Sequence, residues 1–220
     1  MSRRLFITRP LPKNAPLRKQ LEADGFEVTG QSMLQFEAIK IEAVAATDWL
    51  FAYSPRGVKL FLSQQLAEQK GDQLHLKSGA LKLAAVGPGT AEAWQNAGLT
   101  VDFIGDGEPL TTAAAFAKTH CTETTPKVTF LQAENSRRSV EKPLTDHIHV
   151  QRLSIYRSVI NEAASIHRAE VYYLTSPLSA EAVLRQVDQT HPFDIWCVGS
   201  VTAGHVRELE FRVQRIRPLV

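Results

Sequence analysis

Two glycine-containing turns hold the residues best suited to binding an anion. The sequence VGPGTA occupies residues 86–91 and VGSVTA occupies residues 198–203, and each follows an apolar run of strand length and opens a helical pattern. Backbone N–H groups at a helix N-terminus bind anions, and a threonine hydroxyl adds a further donor. We therefore predict carboxylate binding at Gly87, Thr90 and Thr202; helix N-capping by the two threonines is compatible with this role.

The glycine turns do not match the phosphate-binding motifs of nucleotide enzymes. A P-loop has the pattern G-x-x-x-x-G-K-[ST], and neither turn contains its lysine. A dinucleotide fingerprint has the pattern G-x-G-x-x-G, but GPGTAE places Glu92 where the third glycine belongs. The sequence favours a carboxylate ligand over a nucleotide, and a sugar- or nucleotide-phosphate enzyme stays as an alternative.

Two Ser-Pro pairs form a second repeated feature. FAYSPRGVKLF at 51–61 and YYLTSPLSAEAVL at 172–184 both place a serine between an apolar run and a helical pattern. Ser54 and Ser176 are suited to cap these helices and to bind a ligand at the same place. Arg56 adds positive charge beside the first pair, although a surface arginine without a role fits the sequence as well.

A third repeat links the N-terminal RLFITRP with KVTFLQAENSRR at 127–138. In both, an apolar run leads into a basic loop. Arg9 of the first loop is expected to add positive charge at the binding site, although a surface arginine without a role fits the sequence as well. Strand-length runs alternate with amphipathic segments along the whole chain, which indicates an α/β fold with mostly parallel sheets. The predicted strands are RLFIT, WLFAY, LKLAAV, TVDFI, KVTFL, IHVQRLSIY, EVYYLT, DIWCV and RVQRI.

The order of the repeats predicts two similar small domains. Residues 1–36 and 162–220 are expected to form a discontinuous first domain, and residues 40–158 the second. The segments near 33–42 and 154–162 lack helical periodicity, so we expect them to be paired connectors. Because ligands bind beyond the carboxyl ends of parallel strands, the repeated turns are expected to line a cleft between the domains.

Composition limits the classes of function. A net charge of +2 is too small to indicate nucleic-acid binding, and no apolar run has the length of a membrane span. The N-terminal apolar run is too short for a secretion signal, and two cysteines do not form a disulfide framework, so we expect a cytoplasmic protein. His147 and His149 lie two residues apart without a third ligand, so no metal site is predicted.

Six motifs in order resemble those of a known family. ITRP, LFAYSPRGV, AAVGPGTAEAWQNAG, IYR, YYLTSP and CVGSVTA resemble the motifs of the uroporphyrinogen-III synthase family across essentially the whole chain. The resemblance implies two α/β domains joined by a two-stranded connector, with the first domain formed from both chain ends. It also implies cyclisation of hydroxymethylbilane to uroporphyrinogen III, with loss of water and inversion of ring D, without a metal or an organic cofactor.

The implied substrate has eight carboxylates, which suits a site rich in backbone N–H groups and cations. Its unassisted reaction closes to the wrong isomer, so the protein is expected to act by positioning the chain. Loss of the ring A hydroxyl leaves an azafulvenium, which the substituted carbon of ring D attacks to give a spiro intermediate. That intermediate then fragments and recloses the other way round.

By resemblance, Tyr156 in IYR is the residue placed to donate to the departing hydroxyl. A tyrosine phenol is protonated at neutral pH, as a donor must be. The alternative is an aromatic side chain that only packs in the connector strand. The resemblance also implies a monomer that receives hydroxymethylbilane, with a possible hand-over from hydroxymethylbilane synthase.

The chain departs from the family pattern at two places. Gln132 stands where many members have an arginine followed by glycine, and the sequence stops at Val220 where members usually continue into a helix. These departures leave open a second hypothesis from another class. In that alternative the chain is a non-catalytic module that binds a tetrapyrrole or another polyanion.

Overall fold

The computed structural model describes residues 2–41, 44–67, 81–122, 125–209 and 215–219. The chain divides into two compact units, of which Met1–Gln35 with Val159–Val220 forms the first and Phe36–Ser158 the second. In chain order the elements are β1 Arg3–Ile7, α1 Pro16–Ala23, β2 Phe26–Gly30, β3 Leu34–Ala38, β4 Trp49–Ala52, α2 Pro55–Ala67, β5 Lys82–Ala85, α3 Pro88–Gln95, β6 Phe103–Ile104, α4 Pro109–His120, β7 Lys127–Ala133, α5 Glu141–Leu144, β8 His149–Ile160, β9 Val171–Leu174, α6 Pro177–Leu184, β10 Asp194–Val198, α7 Gly199–Glu208 and β11 Arg215–Leu219.

The first unit contains a five-stranded sheet in the order β11-β10-β9-β1-β2. Every neighbouring pair in this sheet is parallel. The side chains of β1 alternate between the two faces, with Leu5 and Ile7 packed in one buried cluster and Phe6 in another. Because both faces are covered, the strand is a continuous apolar run, as is usual for a parallel sheet between helices.

The second unit contains a six-stranded sheet in the order β3-β8-β7-β4-β5-β6. The pairs β8–β7, β7–β4, β4–β5 and β5–β6 are parallel. On β4, Leu50 packs in a buried cluster with Phe61 of α2 and Trp94 of α3. Phe51 packs on the opposite face in a cluster with Phe116 of α4. Helices thus cover both faces of this sheet as well.

The two sheets share one strand order. Strands β2-β1-β9-β10-β11 of the first unit correspond to β8-β7-β4-β5-β6 of the second. In each unit a Ser-Pro pair follows the middle strand, and a glycine turn follows the next strand outward. The sequence repeat is therefore a repeat of structure, in which equivalent residues follow equivalent strands.

The predicted α/β class, with parallel sheets flanked by helices, is confirmed. The predicted strand TVDFI is shorter than expected, because only Phe103–Ile104 pairs with β5. Helix α4 was not among the predicted elements, since the residues it buries are Thr112, Ala113 and Phe116, a weak apolar pattern. The helix predicted over SPRGVKLFLSQQLAEQ, residues 54–69, is α2, and its last two residues lie outside the described residues, as does the beginning of the predicted strand RVQRI.

Within the described ranges, no helix has the length and apolar character needed to cross a membrane.

Candidate active site

Ser54 and Tyr156 lie together at the carboxyl edge of the second sheet. Ser54 follows β4 and Tyr156 belongs to β8, and both strands run parallel to β7 between them. The Ser54 Oγ lies 3.3 Å from the Tyr156 hydroxyl oxygen, and either hydroxyl can donate. This is the edge of a parallel sheet at which ligands bind. Both residues were predicted from the sequence, but their contact was not.

Ser54 is fixed in the turn that opens α2. Its Oγ accepts a hydrogen bond from the Gly57 N–H at 3.1 Å, in the manner of a helix N-cap. Pro55 begins the helix with a φ angle that suits the first turn. A side chain at Gly57 would lie 3.3 Å from Ile155 Cδ1, so the turn is closely packed against β8. The serine hydroxyl is therefore held in a defined position.

The Arg56 guanidinium lies over an aromatic pair that contains Tyr156. Its Cζ is 3.3 Å from the centroid of the Phe36 ring and 6.0 Å from that of Tyr156. The two rings meet edge to face, with centroids 5.9 Å apart. Arg56 is exposed and forms no salt bridge with the residues that the structure describes, so its N–H groups are available to an anion. Phe36 was missed, because its only sequence signal is an aromatic residue in a connector.

Tyr156 itself is mostly buried. Only 8% of the residue is exposed, and it belongs to the buried cluster that includes Leu131 and Ile155. Among the described residues its hydroxyl has one hydrogen-bond partner, Ser54. The arrangement offers a single phenol O–H at the sheet edge, next to a cation.

Tyr53, adjacent to Ser54 in sequence, stabilises the loop that follows β7. Its hydroxyl oxygen accepts hydrogen bonds from the N–H groups of Val140 and Glu141, at 3.2 and 2.9 Å. Burial raises the pKa of Tyr53 to about 12, although these two bonds oppose the shift. The buried Glu141 carboxylate accepts from Arg152 at 2.7 Å. These contacts fix the start of α5 and leave Tyr53 a structural residue.

The first glycine turn is tightly packed rather than open. A Cβ on Gly87 would lie 2.8 Å from the Cα of Gly107, so two backbone segments meet there. The Thr90 N–H donates to the Gly87 carbonyl at 3.0 Å, and Thr90 is only 4% exposed. The Thr90 N–H is therefore already paired within the turn. Carboxylate binding at Gly87 and Thr90 stays a prediction.

A buried hydroxyl network lies at the carboxyl edge of the first sheet. Ser176 caps α6 by accepting from the Ser179 N–H at 3.2 Å, and Ser179 Oγ accepts from the Ser176 N–H at 3.0 Å. The Thr8 Oγ1 donates to Ser179 Oγ at 3.2 Å and lies 2.9 Å from Thr175 Oγ1. Thr8, Thr175 and Ser179 were not predicted, although each is a hydroxyl residue within or beside the ITRP and TSP motifs. The predicted Ser176 is thus one member of a larger polar cluster.

Arg9 and Thr202 lie at the same edge of the first sheet. Arg9 follows β1, is exposed, and has no acidic partner in the described part of the chain. Burial raises the pKa of the nearby Tyr173, and the positive charge of Arg9 opposes that shift. Thr202 lies in α7, after β10, and is only 2% exposed. The structure therefore brings Arg9 and Ser176 to the ends of neighbouring strands, whereas Thr202 points its side chain into the packed unit.

Gln132 ends β7 as a buried amide. It is 3% exposed, and its Oε1 has no hydrogen-bond partner among the described residues. A buried amide thus stands at the position where the family pattern has an arginine.

A pocket of about 350 Å³ lies within the first unit at the opposite edge of its sheet. Tyr172 of β9 and residues that precede β9 and β10 line it, including Arg168 and Phe193. Its acids are already engaged, Glu170 with Arg4 at 2.6 Å and Asp188 with His191 at 2.9 Å. None of the predicted site residues lines this pocket. In the described parts of the chain, no cluster of three or more His, Cys, Asp and Glu side chains could hold a metal ion.

Comparisons with known proteins agree on one family. Residues 15–218 match the family described as uroporphyrinogen-III synthase HemD. A comparison with curated protein sequences found no significant match. Among solved structures, uroporphyrinogen-III synthetase from Helicobacter pylori matches with a TM-score of 0.68 at 15% identity, covering 100% of this chain and 95% of that one.

A second structure supports the same fold. A mutant uroporphyrinogen III synthase from the extremely thermophilic bacterium Thermus thermophilus matches with a TM-score of 0.59 at 16% identity, covering 98% of this chain and 92% of that one. At such identities the structural matches show the fold, while the family match extends over almost the whole sequence. The chain belongs to the uroporphyrinogen-III synthase family.

Proposed function

We propose that the chain cyclises hydroxymethylbilane to uroporphyrinogen III, with inversion of ring D and loss of one water. The observation that carries the proposal is the Ser54–Tyr156 hydroxyl pair beside Arg56, at the ligand-binding edge of a sheet in a chain of this family. Membership of the family also connects the chain with porphyrin and heme biosynthesis. No observation favours the non-catalytic alternative.

Tyr156 is proposed as the catalytic residue. Its phenol donates a proton to the ring A hydroxyl as the carbon–oxygen bond breaks, so that water leaves and an azafulvenium remains. The substituted carbon of ring D attacks this cation to give the spiro intermediate, which fragments and recloses with ring D inverted. The proton lost from ring D at the final closure restores the phenol, so atoms and charge balance over the cycle.

Substrate binding is assigned to polar groups that follow the strands of each unit. Arg9, Arg56 and Ser176 offer N–H or O–H donors at exposed or half-buried positions. Gly87, Thr90 and Thr202 are proposed to contribute through the helix N-termini to which they belong. A substrate with eight carboxylates uses many such donors, each of modest strength.

The proposal includes the organisation of the chain. Residues 1–36 with 162–220 and residues 40–158 act as two domains, with connectors near 33–42 and 154–162 and the substrate between the domains. The division of the chain into two compact units supports this organisation. The enzyme is proposed to be a monomeric, cytoplasmic lyase that needs no cofactor and receives its substrate from hydroxymethylbilane synthase.

The test is a coupled assay with freshly generated hydroxymethylbilane, in which the product isomers are separated after oxidation. The parent chain is expected to give the type III isomer, and the type I isomer alone would rule out the enzyme. Binding of uroporphyrinogen without type III product would instead support the non-catalytic module.

Tyr156→Phe tests the role of the phenol. The ring stays packed and loses only its bond to Ser54, so we expect a fall in kcat of about 100-fold or more with a stability change of about 1 kcal/mol or less. Tyr173→Phe removes a buried phenol of the first unit and serves as the matched control. Unchanged turnover in Tyr156→Phe would remove this residue from the mechanism.

A further inference from the structure

The hydrogen-bond inventory around Ser54 gives its hydroxyl a direction. A serine hydroxyl has one hydrogen and two lone pairs. One lone pair of Ser54 Oγ already accepts from the Gly57 N–H at 3.1 Å. The hydrogen has one possible acceptor among the described residues, the Tyr156 hydroxyl oxygen at 3.3 Å. Donation from Ser54 to Tyr156 therefore gives the serine hydrogen an acceptor while the serine oxygen still accepts from Gly57.

The opposite direction of this hydrogen bond, from Tyr156 to Ser54, would leave a hydroxyl hydrogen without a partner among the described residues. If Tyr156 donated to Ser54, the serine hydrogen would have no protein acceptor in the described part of the chain, and the phenol hydrogen would be unable to reach a ligand. Donation from Ser54 instead makes a head-to-tail chain that runs from the Gly57 N–H through both hydroxyls. Such chains strengthen each bond by mutual polarisation.

We propose that Ser54 is a positioning residue that donates its hydroxyl hydrogen to the Tyr156 oxygen and so directs the Tyr156 hydrogen toward the departing oxygen of the substrate. The inference rests on the proposed function. It assigns Ser54 a role through Tyr156 in place of the direct contact with substrate that the sequence suggested.

The surroundings favour this direction during proton transfer. A phenol that gives up its proton becomes an anion, and the Ser54 O–H then stabilises that anion through a charge-assisted hydrogen bond. The first turn of α2 and the Arg56 guanidinium, 6.0 Å from the Tyr156 ring, add favourable electrostatic interactions with the same anion. The arrangement strengthens as charge develops, which is the condition for acceleration of a chemical step.

A double-mutant cycle with Tyr156→Phe separates positioning from binding. Ser54→Ala is expected to lower kcat by about 10- to 100-fold, with little change in KM, because a hydrogen bond to a developing charge is lost. In the Tyr156→Phe background, the same substitution should have no further effect on kcat. A Ser54 that binds substrate directly would instead raise KM in both backgrounds.

Two more variants separate positioning from helix capping. Ser54→Thr keeps both the cap and the donor, so its kcat should stay within about 3-fold of the parent. Ser54→Asp keeps the cap but cannot donate when ionised, so it should remain folded, with a melting temperature near that of the parent, and have a kcat no higher than Ser54→Ala. Its added negative charge is expected to raise KM for a polyacid, and for that reason kcat is the quantity compared.

The outcomes distinguish this inference from the proposed function. A parent chain that makes the type III isomer, together with an unchanged kcat in Ser54→Ala, overturns the inference alone. An additive loss of kcat in the double variant also overturns it. A parent chain that makes only the type I isomer overturns the proposed function and the inference together.

Discussion

Replacing each glycine of the GPG turn with alanine should change stability in opposite directions. In Gly87→Ala, the new methyl would lie 2.8 Å from the Gly107 Cα and 3.1 Å from its nitrogen, which are both backbone atoms. To relieve this overlap, Gly107 must move, and its N–H donates to the Val86 carbonyl at 2.9 Å. Overpacking together with a weakened hydrogen bond predicts a loss of about 2–4 kcal/mol in the free energy of unfolding.

Gly89→Ala is the matched control two residues away. No atom lies within 4 Å of a Cβ placed on Gly89, and the residue belongs to α3. Alanine should therefore increase stability by about 0.5–1 kcal/mol, because it restricts the unfolded chain and favours the helix.

The assay is urea unfolding followed by tryptophan fluorescence. Trp196 belongs to the first unit, so a Trp196→Phe background leaves Trp49 and Trp94 to report on the second. The midpoint should fall for Gly87→Ala and rise for Gly89→Ala at an unchanged slope. Equal stability of the two variants would refute the claim that backbone contact with Gly107 determines the residue at position 87.

Three further predictions concern stability and reactivity. Tyr53→Phe leaves two N–H groups at the start of α5 without an acceptor and should cost about 2–4 kcal/mol of unfolding free energy, measured by urea unfolding. Hydrogen bonds from Arg4 lower the pKa of Glu170 to about 2. The Glu170–Arg4 interaction should therefore stabilise the fold fully at pH values above the ordinary glutamate pKa, and this stabilisation should be lost as the pH falls toward 2. Thermal unfolding across this pH range measures the loss. Burial raises the pKa of the Cys121 thiol and raises that of the Cys197 thiol to about 11. Both thiols should therefore react slowly with a disulfide reagent at about pH 7.5, and Cys121, which is less buried, should react before Cys197.

Each of these three predictions has a matched control. Tyr173→Phe removes a hydroxyl that makes no hydrogen bond within the described residues, so it should change stability by less than about 1 kcal/mol. Glu170→Gln should lower the melting temperature near neutral pH but not at pH 2, and an identical difference at both pH values would contradict the role of the ion pair. Unfolding in urea should make both thiols react at the same rapid rate, whereas fast reaction of Cys197 in the folded chain would contradict its burial.

The sequence predicted those parts of the fold that depend on neighbouring residues. WLFAY and EVYYLT became β4 and β9, since strands buried on both faces form unbroken apolar runs. Helix α4 was missed because alanine and threonine give a weak period. Capping by Ser54 and Ser176 was predictable from the Ser-Pro motif alone, and both serines accept the expected backbone N–H.

The rest depends on contacts between residues distant in sequence. Ser54 and Tyr156 are predicted as candidates by their motifs, but only the order of β4, β7 and β8 brings their hydroxyls together. The need for glycine at 87 arises from Gly107, in a different loop. The buried Thr8 gains its role from residues that follow β9, near the other end of the chain. No local pattern contains this information.

The pairing of β1 with β9 has a consequence for biosynthesis. A ribosome that has made residues up to Ile160 has completed every described strand of the six-stranded sheet, whereas the five-stranded sheet has only β1 and β2. Until Val171–Leu174 is translated, β1 can pair with β2 on one edge, but its other edge has no partner. The amino-terminal strand therefore obtains its second partner only after about three quarters of the chain has been made, so its folding is coupled to late translation.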